Sequence, residues 1–189
     1  MAILTLRKNK IAAALAAIFL FFGTPVARAD DTQPLQLFEE KIKSGLIYNF
    51  LKYTEWPAAR MSSENPLRIC LVGNAPFDQF LSPLRDRTAQ QHGIRIQRIE
   101  SSAAQNCDLL LIHRNESAKT AGLLASVKSR PVLTISDISG FADSGGMVEF
   151  RTQDNHVGFI VNRKAVADAG IRIEDRLLKL AWSDTGPIE

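Results

Sequence analysis

The amino-acid sequence predicts an α/β fold: a single domain with a mixed, mostly parallel sheet flanked by helices and an antiparallel hairpin near the C-terminus. Three observations carry this. Short apolar runs of strand length alternate with segments of helical period, as they do where crossover helices join parallel strands. Proline, glycine and asparagine mark most changes of period. Late in the chain, runs 147–150 and 157–161 are joined through the polar stretch 152–156, which is the pattern of a hairpin.

Each element has its own reason. Residues 30–34 are a polar leader, after which apolar residues recur at Leu35, Phe38, Ile42, Leu46, Phe50 and Tyr53, one face of a helix. Pro57 ends that helix, because the residue before a proline avoids helical geometry. Residues 67–72 form a strand that stops at Gly73-Asn74-Ala75-Pro76, and Pro76 suits the first turn of a short helix carrying Phe77, Phe80, Leu81 and Leu84. Ile94, Ile96 and Ile99 alternate with polar residues, so the second strand has one wet face or lies near an edge. Residues 107–112 are a third strand, 116–128 a helix with Leu123, Leu124 and Val127 inward, and 132–135 a fourth strand. A Gly/Ser/Asp-rich loop, 136–146, leads into the hairpin. Residues 164–169 are a short helix ending at Gly170, 171–173 are extended, and 174–182 form a last helix. The order is Rossmann-like.

The 189 residues carry 23 Lys+Arg against 20 Asp+Glu, but the excess is local. Arg7, Lys8, Lys10 and Arg28 lie in the first 29 residues, which hold no acid; without them 19 basic residues face 20 acidic ones over 30–189. Nucleic acid is excluded as a partner on that balance. The same 29 residues read as a signal peptide: a basic start, an apolar run from Ile11 to Phe22, a break at Gly23-Thr24-Pro25, and Ala27-Arg28-Ala29 before Asp30. That run rises about 18 Å as a helix, short of the roughly 30 Å of a hydrocarbon core. An uncleaved anchor is the alternative. Residues 30–189 then form one exported, periplasmic domain with no direct membrane insertion after cleavage.

Cys70 and Cys107 are the two cysteines. An oxidising compartment favours a disulfide between them, and two buried free thiols are the alternative. Parallel neighbours ending at Gly73 and His113 would set Cys70 opposite Leu110, so a bridge requires Cys107 to bend back from the strand entrance.

Ligands of such sheets gather beyond the C-terminal strand ends. Those ends supply Asn74, Arg114, Ser136 and Asp137, a possible crevice for a small anion, although turns use the same residue types. Asp137 and Asp143 form a weak acidic pair, and His92, His113 and His156 stand singly. No nucleophile elbow, His-Glu-x-x-His, phosphate loop or dinucleotide fingerprint occurs in the sequence. No catalytic residue, metal or cofactor is expected.

Seven ordered blocks carry a family resemblance. They are Ile47-Tyr48-Asn49-Phe50-Leu51-Lys52-Tyr53-Thr54-Glu55-Trp56-Pro57; Ile69-Cys70-Leu71-Val72-Gly73 with Phe77; Cys107-Asp108-Leu109-Leu110; Leu133-Thr134-Ile135-Ser136-Asp137 leading to Gly140-Phe141; Gly145-Gly146-Met147-Val148; Phe159-Ile160-Val161-Asn162; and Leu177-Leu178-Lys179-Leu180-Ala181. Together they resemble the YfiR family of periplasmic proteins. The resemblance implies a non-catalytic repressor that binds the periplasmic sensor part of a membrane-bound diguanylate cyclase, lowering cyclic di-GMP and biofilm formation. It also implies a cystine at Cys70 and Cys107 and an outer-membrane lipoprotein as a second partner. A second cysteine pair found in some members is missing from this sequence. The expected partner surface is Ile171, Ile173, Leu177, Leu178 and Trp182, which offer more apolar side chains than one short helix hides; the alternatives are that all of them pack on the sheet, or that the patch serves a homodimer. The alternative function is a periplasmic ligand-binding sensory module serving another receptor, such as a sensor kinase.

Overall fold

The computed structural model describes residues 32–61, 65–73 and 78–183. The signal peptide assigned to residues 1–29 lies outside the described residues. Helix α1 (Thr32–Tyr53) runs into β1 (Thr54–Glu55), and β2 (Leu67–Val72) is followed by α2 (Asp78–Leu81) and a 3₁₀ turn (Ser82–Asp86). Strands β3 (Thr88–Ala89) and β4 (His92–Arg98) lead through a 3₁₀ turn (Ser101–Asn106) into β5 (Leu109–Ile112). A further 3₁₀ turn (Arg114–Lys119) opens α3 (Thr120–Ser126), and then come β6 (Leu133–Ser136), β7 (Val148–Gln153) and β8 (His156–Val161). The chain continues through α4 (Arg163–Asp168), β9 (Arg172–Ile173) and α5 (Asp175–Leu178).

The sheet runs β3-β4-β2-β5-β6-β7-β8, with the five inner strands parallel and antiparallel strands at both edges. β1 and β9 make a separate antiparallel pair, Thr54 opposite Ile173. This is the mixed, mostly parallel α/β domain that the alternation predicts. The hairpin also matches: Asp154 and Asn155 supply the two left-handed residues of its tight turn (φ 50° and 62°), a conformation Asp and Asn tolerate.

Period two divides the apolar runs between two cores. Leu67, Ile69 and Leu71 of β2 face α1, where Ile47, Phe50 and Leu51 are buried; Cys70 and Val72 face α3, where Leu123 and Val127 are buried. Phe50 closes the first core edge-on to Phe159 of β8, with ring centroids 5.0 Å apart. β4 keeps one wet face, burying Ile94 and Ile96 while Arg95 stays exposed, as its alternation requires.

Two helices are shorter than their periods suggest. Residues 116–128 divide into the end of the 3₁₀ turn, within which Glu116 leaves helical geometry, and α3. The last helix ends at Leu178 instead of Trp182, because the chain there turns to follow the free edge of β8. Trp182 donates its backbone N–H to the Phe159 carbonyl (2.8 Å), and its indole fills the space that Gly158 leaves by lacking a Cβ. An edge with open N–H and C=O groups invites pairing, and Trp182 covers part of it.

Candidate ligand crevice

From β2 the chain first crosses to β4 and then returns past β2 to β5, so the topological switch point lies between the C-terminal ends of β2 and β5. Gly73 and His113 mark those ends. Gly73 takes φ 95°, and a Cβ there would strike Asn115, so the turn needs glycine. The amino-terminal half of α1 lies over this crevice.

α1 brings Glu39, Glu40 and Lys43, which its 3.6-residue period stacks on one face. Lys43 is 2 % exposed and its Nζ meets three carboxylates: Glu39 Oε1 at 2.7 Å, Asp137 Oδ2 at 3.1 Å and Glu40 Oε1 at 3.3 Å. Arg114 donates to Asp137 from Nε (2.9 Å), Nη2 (2.6 Å) and its backbone N–H (3.2 Å). Asp137 therefore stands between two cations, one buried and one half-exposed.

The electrostatics follow from that geometry. Burial pushes the Asp137 carboxyl up, but the Lys43 charge and the Arg114 hydrogen bonds outweigh it and hold the group below its usual range. Glu39 is likewise held low: burial opposes, and hydrogen bonds from Lys43 and Thr152 prevail. Glu40 goes the other way; burial raises it, and the attraction of Lys43 does not compensate. Lys43 is raised despite its burial, chiefly by the Asp137 charge and the Glu39 hydrogen bond. An ammonium kept protonated in this way is no nucleophile. The cluster clamps α1 onto the sheet.

The predicted crevice residues fare differently. Arg114 and Asp137 come together as an ion pair. Ser136 corrects the expectation: it is fully buried, donates to the Ile112 carbonyl (2.7 Å) and accepts from the Ile138 N–H (3.1 Å), so it shapes the turn below the crevice. Asn74 lies outside the described residues. The histidines serve local turns: His113 accepts from the Asn115 N–H, while the rings of His92 and His156 hydrogen-bond the carbonyls of Asn65 and Asp154. Asp143 is exposed on the loop. Among the described residues, no group of three His, Cys, Asp or Glu is arranged to hold a metal ion.

Cys70 and Cys107 are joined in a disulfide, with Cα atoms 5.8 Å apart. The register does set Cys70 opposite Leu110. The bridge forms because Cys107 precedes β5, at the end of the 3₁₀ turn Ser101–Asn106, and this turn bends the chain back over β2.

The expected partner surface is also corrected. Ile171, Ile173 and Leu177 are buried in the first core, Leu178 packs against it, and Trp182 is half-buried on Gly158. The short strand β9 turns Ile173 inward against β1, so these side chains have hiding places beyond α5 itself. Among the described residues, the exposed large apolar ones are instead Leu35, Leu37 and Phe38, on the outer turns of α1, and Leu180.

The sequence reading missed Lys43, Glu39 and Glu40. Their signal was present as acid–lysine spacings of four and three on a helix, which ordinarily mark a solvated face. It also missed Glu149 of β7, which is fully buried inside an apolar run and paired to Arg151 at 2.7 Å.

The class of protein defined by these features is a Rossmann-like α/β domain with a self-clamped crevice at its switch point. A family model described as YfiR/HmsC-like matches residues 40–182, and the chain belongs to that family. The general role attached to membership is periplasmic regulation of diguanylate cyclase signalling. No curated protein matches the chain. No helix among the described residues is long and apolar enough to cross a membrane.

Proposed function

We propose that this protein is a non-catalytic periplasmic repressor. It binds the periplasmic sensor part of an inner-membrane diguanylate cyclase and favours the inactive state, lowering cyclic di-GMP in the cytoplasm and restraining biofilm formation. The observation that carries this reading is the family match over residues 40–182.

A domain outside the membrane acts on a spanning enzyme only through a difference in affinity between that enzyme's states. Moving an equilibrium from 1:99 to 99:1 takes about 5.5 kcal/mol of such difference. Side chains able to contribute it are Leu35, Leu37 and Phe38, because burying apolar area at a contact is the general source of binding energy. An outer-membrane lipoprotein that competes for the repressor would release the cyclase.

The test is capture of the cyclase from detergent-solubilised membranes by tagged, exported protein. We expect an identified diguanylate cyclase to co-purify, with a mass ratio that reads whether the repressor works as a homodimer, and Phe38→Asp to reduce capture without changing the melting temperature. A preparation that retains no cyclase would overturn the reading.

A further inference from the structure

Beside the clamp, an open cleft of about 420 Å³ runs between the outer turns of α1 and strand β7. Small-molecule sites commonly occupy roughly 300–1,000 Å³. Two of the residues lining this cleft are arginines from different parts of the fold, Arg114 after β5 and Arg151 on β7. Each is tethered by a carboxylate that is itself at least nine-tenths buried: Asp137, whose side chain is 9 % exposed, and Glu149, whose side chain is 0 % exposed.

The bonding leaves the two guanidinium groups with spare capacity. Arginine carries five N–H donors in a flat fork. Arg114 donates its Nε–H and one Nη2–H to Asp137, and Arg151 donates its Nε–H to Glu149. The carboxylates are more fully engaged. Asp137 also accepts from Lys43 and from the Arg114 backbone; Glu149 also accepts from the Ala142 N–H at 3.0 Å. Glu39, the remaining acid on the cleft wall, is engaged with Lys43 and Thr152 and reaches Arg114 Nη2 only at 3.9 Å.

Stability alone does not account for Glu149. A buried ion pair is often matched or bettered by apolar residues of similar volume. What the pair does achieve is a fixed guanidinium at the wall of a cleft, the arrangement that recognition of a planar or tetrahedral oxyanion requires.

We infer that this cleft binds a small oxyanion ligand, a carboxylate or phosphate group gripped between Arg114 and Arg151. Nothing in this depends on the cyclase: the repressor reading stands or falls by membrane capture, and the cleft by titration of purified protein.

The experiment is calorimetric and thermal titration of the processed chain with inorganic phosphate and, separately, succinate, at constant ionic strength set with sodium chloride. We expect saturable binding of at least one, and the two arms tell a phosphate site from a carboxylate site. Arg151→Gln alone would strand Glu149 in the interior, so the paired variant Glu149→Gln/Arg151→Gln is used. That variant and Arg114→Gln should each weaken binding roughly tenfold or more, the scale of a lost charge-assisted hydrogen bond. Arg172→Gln, which alters an exposed arginine on β9, should bind as the parent does. The inference is overturned if neither anion gives a saturable response, or if the Arg172 variant loses affinity to the same extent as the cleft variants.

Discussion

The two ends of the parallel strands are closed by different means. At the N-terminal end, Asp108 accepts from the Arg68 N–H (2.8 Å) and from Arg60 Nε (2.9 Å), while its carbonyl accepts from Trp56 Nε1 (3.1 Å) and the Leu133 N–H (2.9 Å). The disulfide lies next to this network. At the C-terminal end, Lys43 and Arg114 converge on Asp137, and the bonds are almost entirely between charged side chains. One end is fixed by a covalent link, by main-chain hydrogen bonds and by the Arg60–Asp108 ion pair; the other rests almost entirely on ion pairs, which salt and pH can reach. Ligands of parallel sheets generally gather beyond the C-terminal strand ends, which is here the end closed by side-chain ion pairs.

The largest expected effect breaks the fixed end. Replacing both cysteines by alanine releases a loop of sequence separation 37, about 4 kcal/mol by the loop-entropy estimate. Thermal melting with and without dithiothreitol reads this, and a melting temperature indifferent to reduction would mean the N-terminal end does not need its covalent tie. Next is Lys43→Met, which leaves Asp137, Glu39 and Glu40 without their buried cation; urea unfolding should show a loss of roughly 3 kcal/mol, the scale of a broken buried pair. A loss below the error of the extrapolation would show that apolar packing alone seats α1.

A smaller effect sharpens the contrast through pH. Asp137 and Glu39 have folded values below their unfolded ones, so the stability they contribute is complete above the unfolded value, about pH 4, and disappears as pH falls through the folded values. Glu40, raised by burial, favours folding in its protonated form and offsets part of that loss. Lys43 is raised, so its contribution holds below about pH 10.4 and is lost as pH climbs through its folded value. Stability measured by denaturant at pH 3 and pH 7 should therefore differ less in Asp137→Asn than in the parent. Equal differences would place the acid sensitivity elsewhere. The smallest effect is a control: Arg172→Gln breaks a pair whose side chains are 67 % and 50 % exposed, and the melting curve should not move.

Most of the scaffold was legible in the sequence because it rests on local patterns. β2 and β5 announce themselves as short apolar runs bounded by turn residues, and the hairpin by its polar turn. The end of the last helix was not legible, because a tertiary event ends it: Trp182 leaves helical geometry to cover the edge of β8 over Gly158. The site was half-legible. Arg114 and Asp137 sit at strand ends, where topology gathers function, so position alone exposed them. Lys43 and Glu149 could not be read, since their burial depends on which face of α1 and β7 meets the fold. The same blindness misled the reading of Ile171, Ile173 and Leu177, whose apolar excess is absorbed by the β1–β9 pair.

Cellular cyclic di-GMP is the most direct measure of the central claim that this domain acts from outside the cytoplasmic membrane. A strain lacking the gene should contain more of the nucleotide than its parent, and expression of the full chain should restore the lower level while a version lacking residues 1–29 should not. A nucleotide level unchanged by deletion, or restored equally well by the version without those residues, would contradict the account.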